Sequence, residues 1–338
     1  MSLSELLQQR WYEDRPPPGW TLPVAALYGA IAGLRRAFYR RGWKRNERLP
    51  VPVIVVGNIV AGGAGKTPLV IALVELLRER GFKPGVVSRG HGGSARSPRL
   101  LEEDPDPRVG GDEPALIKLR TGVPVAVGRD RPGAARLLLD AGVDVVIADD
   151  GLQHYALARD IEICVVDGER RFGNARLLPA GPLREPLSRM QMVDFVICNG
   201  GEPRAGEIAM RLQVEDAVAL GGPSSTRALR SFAGRRVHAV AGIGNPARFF
   251  AMLREHGIEA IEHAFADHHA YAAPELEFGD GLPLLMTEKD AVKCRAFARA
   301  DWWAVPVRAL LPAGFPASVS EKLVRRAEEA HSVGRVRD

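Results

Sequence analysis

Between Val51 and Gly81 the chain passes from a β-branched segment through a glycine-rich turn into a helical one, and that order leaves little choice of architecture. Val51 to Val56 is a short apolar strand closed by Gly57-Asn58. Gly62-Gly63-Ala64-Gly65-Lys66-Thr67 follows, and Pro68 to Arg80 reads as a helix ended by Gly81 as its C′ glycine. This is the pattern of a P-loop. Backbone N–H groups of such a loop curl around a phosphate, glycines admit its close approach, the lysine reaches its outer oxygens, and the next hydroxyl ligates Mg²⁺. The helix beyond adds the partial positive charge of its N-terminus. Val60, Ala61, Gly62, Gly63, Ala64, Gly65, Lys66 and Thr67 are therefore the expected nucleotide-binding residues, although Val60 stands where the usual spacing has a glycine. The alternative is a glycine-rich turn that binds nothing, and the ordered strand, loop, Lys-Thr and helix weigh against it.

A P-loop calls for a second strand ending in a carboxylate that holds Mg²⁺ or its water. Val143 to Ala148, followed by Asp149-Asp150-Gly151, supplies one. Further strands are expected at Gly85–Ser88, Val123–Val127, Ile161–Val166 and Asp194–Cys198, with helices near Pro114–Arg120 and Arg131–Ala141. The strands are apolar throughout rather than alternating, as strands covered on both faces are. The expected fold class is thus α/β, a P-loop NTPase-like, doubly wound parallel sheet over residues 46–222. Around Gly221-Gly222-Pro223-Ser224-Ser225 the composition turns to linker. Arg236–Val240, a helix near Pro246–His256, and strands near Glu259–His263 and Pro283–Met286 then suggest a second, smaller α/β domain over 223–312. Val319 to Ala330 reads as an amphipathic helix within a tail of 313–338. No N-K-x-D guanine signature follows a late strand: the chain has Asn199-Gly200-Gly201-Glu202 there, and Thr287-Glu288-Lys289-Asp290 is in the wrong order. Guanine specificity is unsupported, which weakens a GTPase switch.

Residues 1–45 are different in kind. Trp11, Trp20 and Trp43 are three of five tryptophans, and Tyr12, Tyr28 and Tyr39 three of five tyrosines. Trp20 to Leu34 is 15 residues without a charge, and Arg35, Arg36, Arg40, Arg41, Lys44 and Arg45 follow at once. Leu27, Ile31, Leu34 and Phe38 fall on one helical stripe. An apolar helix with aromatic margins and a basic flank is expected to lie at the headgroups of an anionic leaflet. A helix packed on the domain stays open as an alternative, whereas a cleaved signal peptide would carry its basic residues first. No apolar stretch reaches the roughly 18 to 20 residues of a membrane span. A net charge of +5 is too mild to point to nucleic acid. Cys164, Cys198 and Cys294 lie far apart, without the spacing of a disulfide framework or metal site. No protein partner is expected.

Taken in order, the motifs form a series. Gly57-Asn58 and Gly62 to Pro68 are followed by Val87-Ser88-Arg89-Gly90-His91-Gly92-Gly93, Gly111-Asp112-Glu113-Pro114 and Asp149-Asp150-Gly151-Leu152-Gln153-His154. Leu178-Pro179-Ala180-Gly181-Pro182-Leu183-Arg184-Glu185, Phe265-Ala266-Asp267-His268-His269 and Met286-Thr287-Glu288-Lys289-Asp290-Ala291 complete it. The series resembles the tetraacyldisaccharide 4′-kinases of lipid A synthesis across nearly the whole chain. That resemblance implies an ATP- and Mg²⁺-dependent kinase on the cytoplasmic face of a bacterial inner membrane. It also implies two α/β domains with a cleft between them, an N-terminal membrane helix, and a lipid disaccharide 1-phosphate phosphorylated at its 4′-hydroxyl.

The same resemblance matches Asp112 to the family's catalytic aspartate and His268 to the histidine that pairs with it, with Lys66 on the phosphates. A sugar hydroxyl is a poor nucleophile near neutral pH, so an acceptor for its proton is useful, and a histidine can orient that carboxylate. Locally, Asp112 also suits the start of a helix, and only the resemblance separates His268 from His269. Thr67, Asp149, Asp150 and Glu113 are the expected metal residues. Arg89, His91, Arg131, Gln153, Arg184 and Glu185 are the expected substrate residues, since arginine forks suit an anionic sugar phosphate. For Gln153 a structural polar turn is an equal alternative, and His91 stands where the family usually has tyrosine. A nucleotide-driven switch, or a peripheral membrane protein with a vestigial site, would need no Asp112.

Overall fold

The computed structural model describes residues 3–13, 15–221 and 225–335. Gly222, Pro223 and Ser224, the middle of the expected linker, lie outside the described residues. Two helices come first, α1 (Leu3–Tyr12) and α2 (Thr21–Arg40). Then follow β1 (Val53–Gly57), α3 (Lys66–Glu79), β2 (Pro84–Ser88), β3 (Arg99–Leu100), α4 (Pro107–Gly110) and α5 (Asp112–Thr121). The chain continues through β4 (Val125–Val127), α6 (Arg131–Asp140), β5 (Val145–Ala148), β6 (Ile161–Asp167), β7 (Phe195–Asn199) and β8 (Glu207–Val214). After β9 (Ala217–Ala219) and β10 (Thr226–Arg227) come β11 (Arg236–Ala241), α7 (Pro246–Glu255), β12 (Glu259–Ala264), β13 (Leu284–Thr287) and α8 (Glu288–Cys294). β14 (Trp302–Val305), β15 (Val307–Leu310) and α9 (Phe315–Arg335) close it.

Among the described residues the strands form two sheets. The nine-stranded one runs β15-β8-β7-β6-β1-β5-β2-β4-β3, parallel from β8 to β4, with β15 and β3 antiparallel on its edges. β1 lies between β5 and β6, so that Ile54 has Ile147 on one side and Ile161 on the other. The chain winds outward from β1, returns at β5, and crosses to β6 on the far side. The crevice above such a reversal, at the carboxyl ends of the strands, is where doubly wound sheets take their ligands.

All five residues of β1 are buried. Ile54 and Val56 join a core with Leu69, Leu73 and Leu77 of α3 and Ile117 of α5. Val53 and Val55 join a second core with Ala134, Ala135 and Leu138 of α6. Cover on both faces explains why these strands carry no polar alternation. α3 ends as its sequence requires, with Gly81 left-handed at φ 83° and the Phe82 N–H on the Leu77 carbonyl at 3.1 Å.

The six-stranded sheet runs β10-β9-β14-β13-β11-β12, with β14, β13, β11 and β12 parallel. The sheets divide the chain differently from joins at 222 and 312. β9 already belongs to the smaller sheet, pairing Ala219 with Trp303. β15 already belongs to the larger, pairing Val307 with Val214. Strands of three and four residues hold too little pattern to be placed without their neighbours. α9 starts at Phe315, four residues ahead of the expected Val319, because Phe315 itself packs into the first core with Val319 and Leu323.

α2 has two unlike sides. Along one, Thr21 and Ala25 are buried, the Tyr28 hydroxyl donates to the Arg184 carbonyl at 3.1 Å, and a Cβ on Gly29 would stand 2.7 Å from Leu177. Along the other, Val24, Leu27, Ile31 and Leu34 are exposed, as are Trp20 and Leu22 at the start of the helix and Trp43 beyond its end. The helix is thus packed on the domain and still presents an apolar face. No helix among the described residues is long and apolar enough to cross a membrane.

Candidate active site

The glycine-rich loop after β1 is held from below and from above. Gly65 precedes α3 in the left-handed region at φ 87°, and a Cβ there would lie 2.2 Å from Asn199 Nδ2, so a side chain is excluded twice. Asn199, the last residue of β7, donates to the Ala64 carbonyl at 3.1 Å, and Asn58 Nδ2 donates to the Gly62 carbonyl at 3.3 Å. From above, Arg170 donates to the carbonyls of Gly63 at 3.4 Å and Gly244 at 3.2 Å. The turn between β11 and α7 therefore rests on the loop: a Cβ on Gly244 would stand 2.9 Å from the Gly63 nitrogen.

Asp149 and Asp150, at the end of β5, live in opposite environments. Asp150 is left-handed at φ 45°, and its carboxylate meets Arg184 Nη1 at 3.1 Å and Lys66 Nζ at 3.5 Å. Burial pushes its carboxyl up, but the charges of Lys66, Arg184 and Arg131 outweigh that and hold it well below the usual range. Asp149 is buried, with Oδ2 accepting from the Ser88 hydroxyl at 3.2 Å and Oδ1 finding no partner. Burial first, then repulsion from Glu113 and Asp150, raise it to about 7 against the pull of Lys66 and Arg131. A buried carboxylate with an orphaned oxygen and a raised proton affinity fits a cation, which would satisfy both. Among the described residues no group of three or more histidine, cysteine or carboxylate side chains could hold a metal by itself. That suits Mg²⁺, which takes one or two carboxylates and completes its shell with phosphate oxygens and water.

Asp112 opens α5, and His268 lies in the loop after β12, at a left-handed φ of 62°. His268 Nδ1 stands 2.9 Å from Asp112 Oδ2 and 3.1 Å from Oδ1. His269 pairs with Glu275 instead, so geometry now distinguishes the adjacent histidines. The His91 ring lies 5.1 Å from the His268 ring, beside the pair. Glu113, expected at the metal, has its carboxylate 3.1 Å from Lys289 Nζ while its charge is felt at Asp149.

The expected substrate residues separate into two groups. Arg131 is buried, donates to the Asp150 carbonyl at 2.9 Å, and leaves Nε and Nη1 without partners. Arg89 is exposed nearby. Burial, then the charges of Arg131, Arg35, Arg159 and Arg89, bring His154 down to about 4, which records how much positive charge converges there. Glu185 and Gln153, by contrast, are spent on one another. Gln153 Nε2 donates to Glu185 at 3.0 Å and to the Asn58 carbonyl at 3.0 Å, and the Tyr155 hydroxyl also donates to Glu185. Sequence reasoning passed over Ser88, Arg170, Asn199 and Lys289 as site residues. Ser88 and Asn199 lay within quoted motifs; Arg170 had no signal at all.

A glycine-rich turn between β1 and α3, a buried carboxylate with an orphaned oxygen at the end of the neighbouring strand, and a hydrogen-bonded Asp-His pair at the start of α5 are the parts of a P-loop phosphotransferase. Comparison with known proteins makes this specific. The family Tetraacyldisaccharide-1-P 4′-kinase, LpxK, matches residues 19–324, and the chain belongs to that family. The tetraacyldisaccharide 4′-kinase of Stenotrophomonas maltophilia is 54% identical over 323 residues, covering 93% of this chain and 95% of that protein. The one from Xanthomonas euvesicatoria is 53% identical over 330 residues, covering 94% and 95%. The crystal structure of LpxK from Aquifex aeolicus in complex with ATP superposes with a TM-score of 0.75 at 29% identity, covering 90% of this chain and 98% of that one.

Proposed function

We propose that this tetraacyldisaccharide 4′-kinase moves the γ-phosphate of ATP to the 4′-hydroxyl of a tetraacylated glucosamine disaccharide 1-phosphate, with Asp112 as the proton acceptor. The loop from Val60 to Thr67 binds the triphosphate through its N–H groups, and Lys66 stabilises charge on the transferring group. Asp112 accepts the sugar proton, and His268, donating from Nδ1, orients the carboxylate and spreads its charge. Asp149 and the Thr67 hydroxyl would hold Mg²⁺, with Asp150 fixing Lys66 and Arg184 alongside; the ion would supply neutralisation of the negative charge on the phosphates.

Arg131, with two unpartnered buried N–H-bearing nitrogens, and Arg89 suit an anionic group of the nucleotide or sugar. The exposed apolar side of α2 and its basic flank support docking on the inner membrane from the cytoplasmic face, where an acylated substrate resides.

The observation that carries this reading is the bond between Asp112 and His268, because neither nucleotide hydrolysis nor a conformational switch requires an alcohol-activating pair. The test is incubation with labelled ATP and a monophosphorylated acyl disaccharide. A bisphosphorylated product that disappears in Asp112→Ala is expected. Folded, Mg-ATP-binding protein that transfers nothing would defeat the reading.

A further inference from the structure

The segment Thr287-Glu288-Lys289-Asp290, in the wrong order for a guanine signature, does something else. Thr287 caps α8, its Oγ1 accepting from the Asp290 N–H at 3.2 Å and donating to Asp290 Oδ2 at 2.6 Å. Asp290 is fully buried and also accepts from the Gly242 N–H at 2.9 Å and the Tyr271 hydroxyl at 3.1 Å. The first turn of α8 is therefore fixed, and Lys289 extends from it toward the nine-stranded sheet. Its Nζ stands 3.1 Å from Glu113 Oε1, 3.1 Å from Asp267 Oδ1 and 3.5 Å from His268 Nε2. The three N–H groups of the ammonium match these three acceptors.

The sequence order of those partners matters. Asp112 and Glu113 are neighbours at the start of α5, and Asp267 and His268 are neighbours in the loop after β12. One residue of each pair makes the Asp112–His268 bond; the other residue of each is bridged by Lys289. The two backbone segments are thus tied at two adjacent points, and the second tie sets the spacing of the first. In the neutral ring a donor facing His268 Nε2 at 3.5 Å favours that nitrogen as the acceptor, with the ring proton on Nδ1, toward Asp112.

We propose that Lys289 is a positioning residue for phosphoryl transfer, bridging Glu113 and Asp267 so that Asp112 and His268 meet at hydrogen-bond distance with the imidazole proton between them. This rests on the assignment of Asp112 and His268 as the proton-accepting pair.

The test is steady-state kinetics of the full-length Lys289→Met and Lys289→Arg proteins in wild-type and His268→Ala backgrounds. In the wild-type background Lys289→Met should lower kcat about 10- to 100-fold while both KM values stay within about twofold, since the groups remain but lose their alignment. Lys289→Arg should recover part of that loss. In His268→Ala, Lys289→Met should cost less than about twofold more, because the alignment Lys289 provides is between Asp112 and a ring no longer there, and its own approach to Asp112 Oδ2 is the longer one at 3.9 Å. Raised KM values with unchanged kcat would show cleft closure rather than alignment. A full, additive loss in His268→Ala would show independent action. Either result overturns the proposal. If His268→Ala alone leaves kcat intact, it is the assignment of the pair that fails. Should Lys289→Met fold poorly, Lys289→Ala, which likewise removes every donor, carries the same comparison.

Discussion

His268 Nδ1 lies 2.9 Å from Asp112 Oδ2 although 156 positions separate the two residues. One begins a helix of the nine-stranded sheet; the other follows a strand of the six-stranded sheet. The pair exists only while the two sheets are held as they are, so the proposed proton transfer depends on a contact that neither half makes alone.

Removing either partner should therefore act on the chemical step. Asp112→Ala is expected to lower kcat by about 10² to 10⁴, the usual worth of a positioned base. Mg-ATP affinity, read by calorimetry, should change less than about twofold. His268→Ala should cost less than Asp112→Ala, and the double variant no more than Asp112→Ala, because the two act as a unit. Additive losses would separate them.

The pair also fixes the direction of the pH dependence. Burial pushes Asp112 up, but the hydrogen bond from His268 and the charges of Lys289, His268 and Lys293 outweigh it and hold the carboxyl below its ordinary value. The bond to Asp112 lifts His268 above 6.5, against burial and Lys289. As pH rises through the raised value, His268 loses the proton that makes it an imidazolium and Asp112 becomes the better acceptor. kcat/KM should climb along a limb lying above 6.5. In His268→Asn that limb should shift to lower pH, where Asp112 alone titrates. A profile unchanged by the substitution would contradict this account.

What the sequence disclosed follows from how local each signal is. The P-loop, the carboxylates closing β5 and the strands buried on both faces are written in contiguous residues, and they stand where the pattern set them. Lys289 stood in a failed guanine signature and in the last motif of the family series without a role of its own, since its partners come from α5 and from the loop after β12. Glu185 and Gln153 were legible as polar residues near the site, but not as partners of one another. Mutual pairing is a tertiary fact that spacing along the chain does not record. The crossings at β9 and β15 were lost for the same reason, their pairing being decided by strands far away in sequence.

Asp149 offers a test that does not depend on turnover. With its carboxyl raised to about 7, Asp149 should be partly protonated at neutral pH, and the proposed cation should displace that proton. Binding of Mg²⁺ with nucleotide should then release protons, and apparent Mg²⁺ affinity should weaken up to about tenfold per unit as pH falls below 7. Calorimetry in buffers of different ionisation enthalpy would measure the release. Asp149→Asn should abolish it and weaken Mg²⁺ dependence while leaving the fold intact, since the Ser88 contact can persist. Equal proton release in the variant would assign the cation elsewhere.

The outer side of α2 carries the last prediction. Leu27, Ile31 and Leu34 are 62%, 60% and 57% exposed and touch little of the protein, so replacing them with glutamine should barely move the melting temperature. If that side enters a leaflet, each substitution forfeits about 1 kcal/mol of apolar transfer, and the triple variant should bind vesicles about 100-fold more weakly. Arg40 and Arg41 bring a separate contribution of about 1 kcal/mol per charge near an anionic surface. Arg40→Gln with Arg41→Gln should therefore weaken binding to phosphatidylglycerol vesicles but not to phosphatidylcholine ones, and high salt should mimic it. Sedimentation with each vesicle type separates the two contributions. A triple glutamine variant that pellets as well as the unaltered protein would mean that the apolar side of α2 meets something other than lipid.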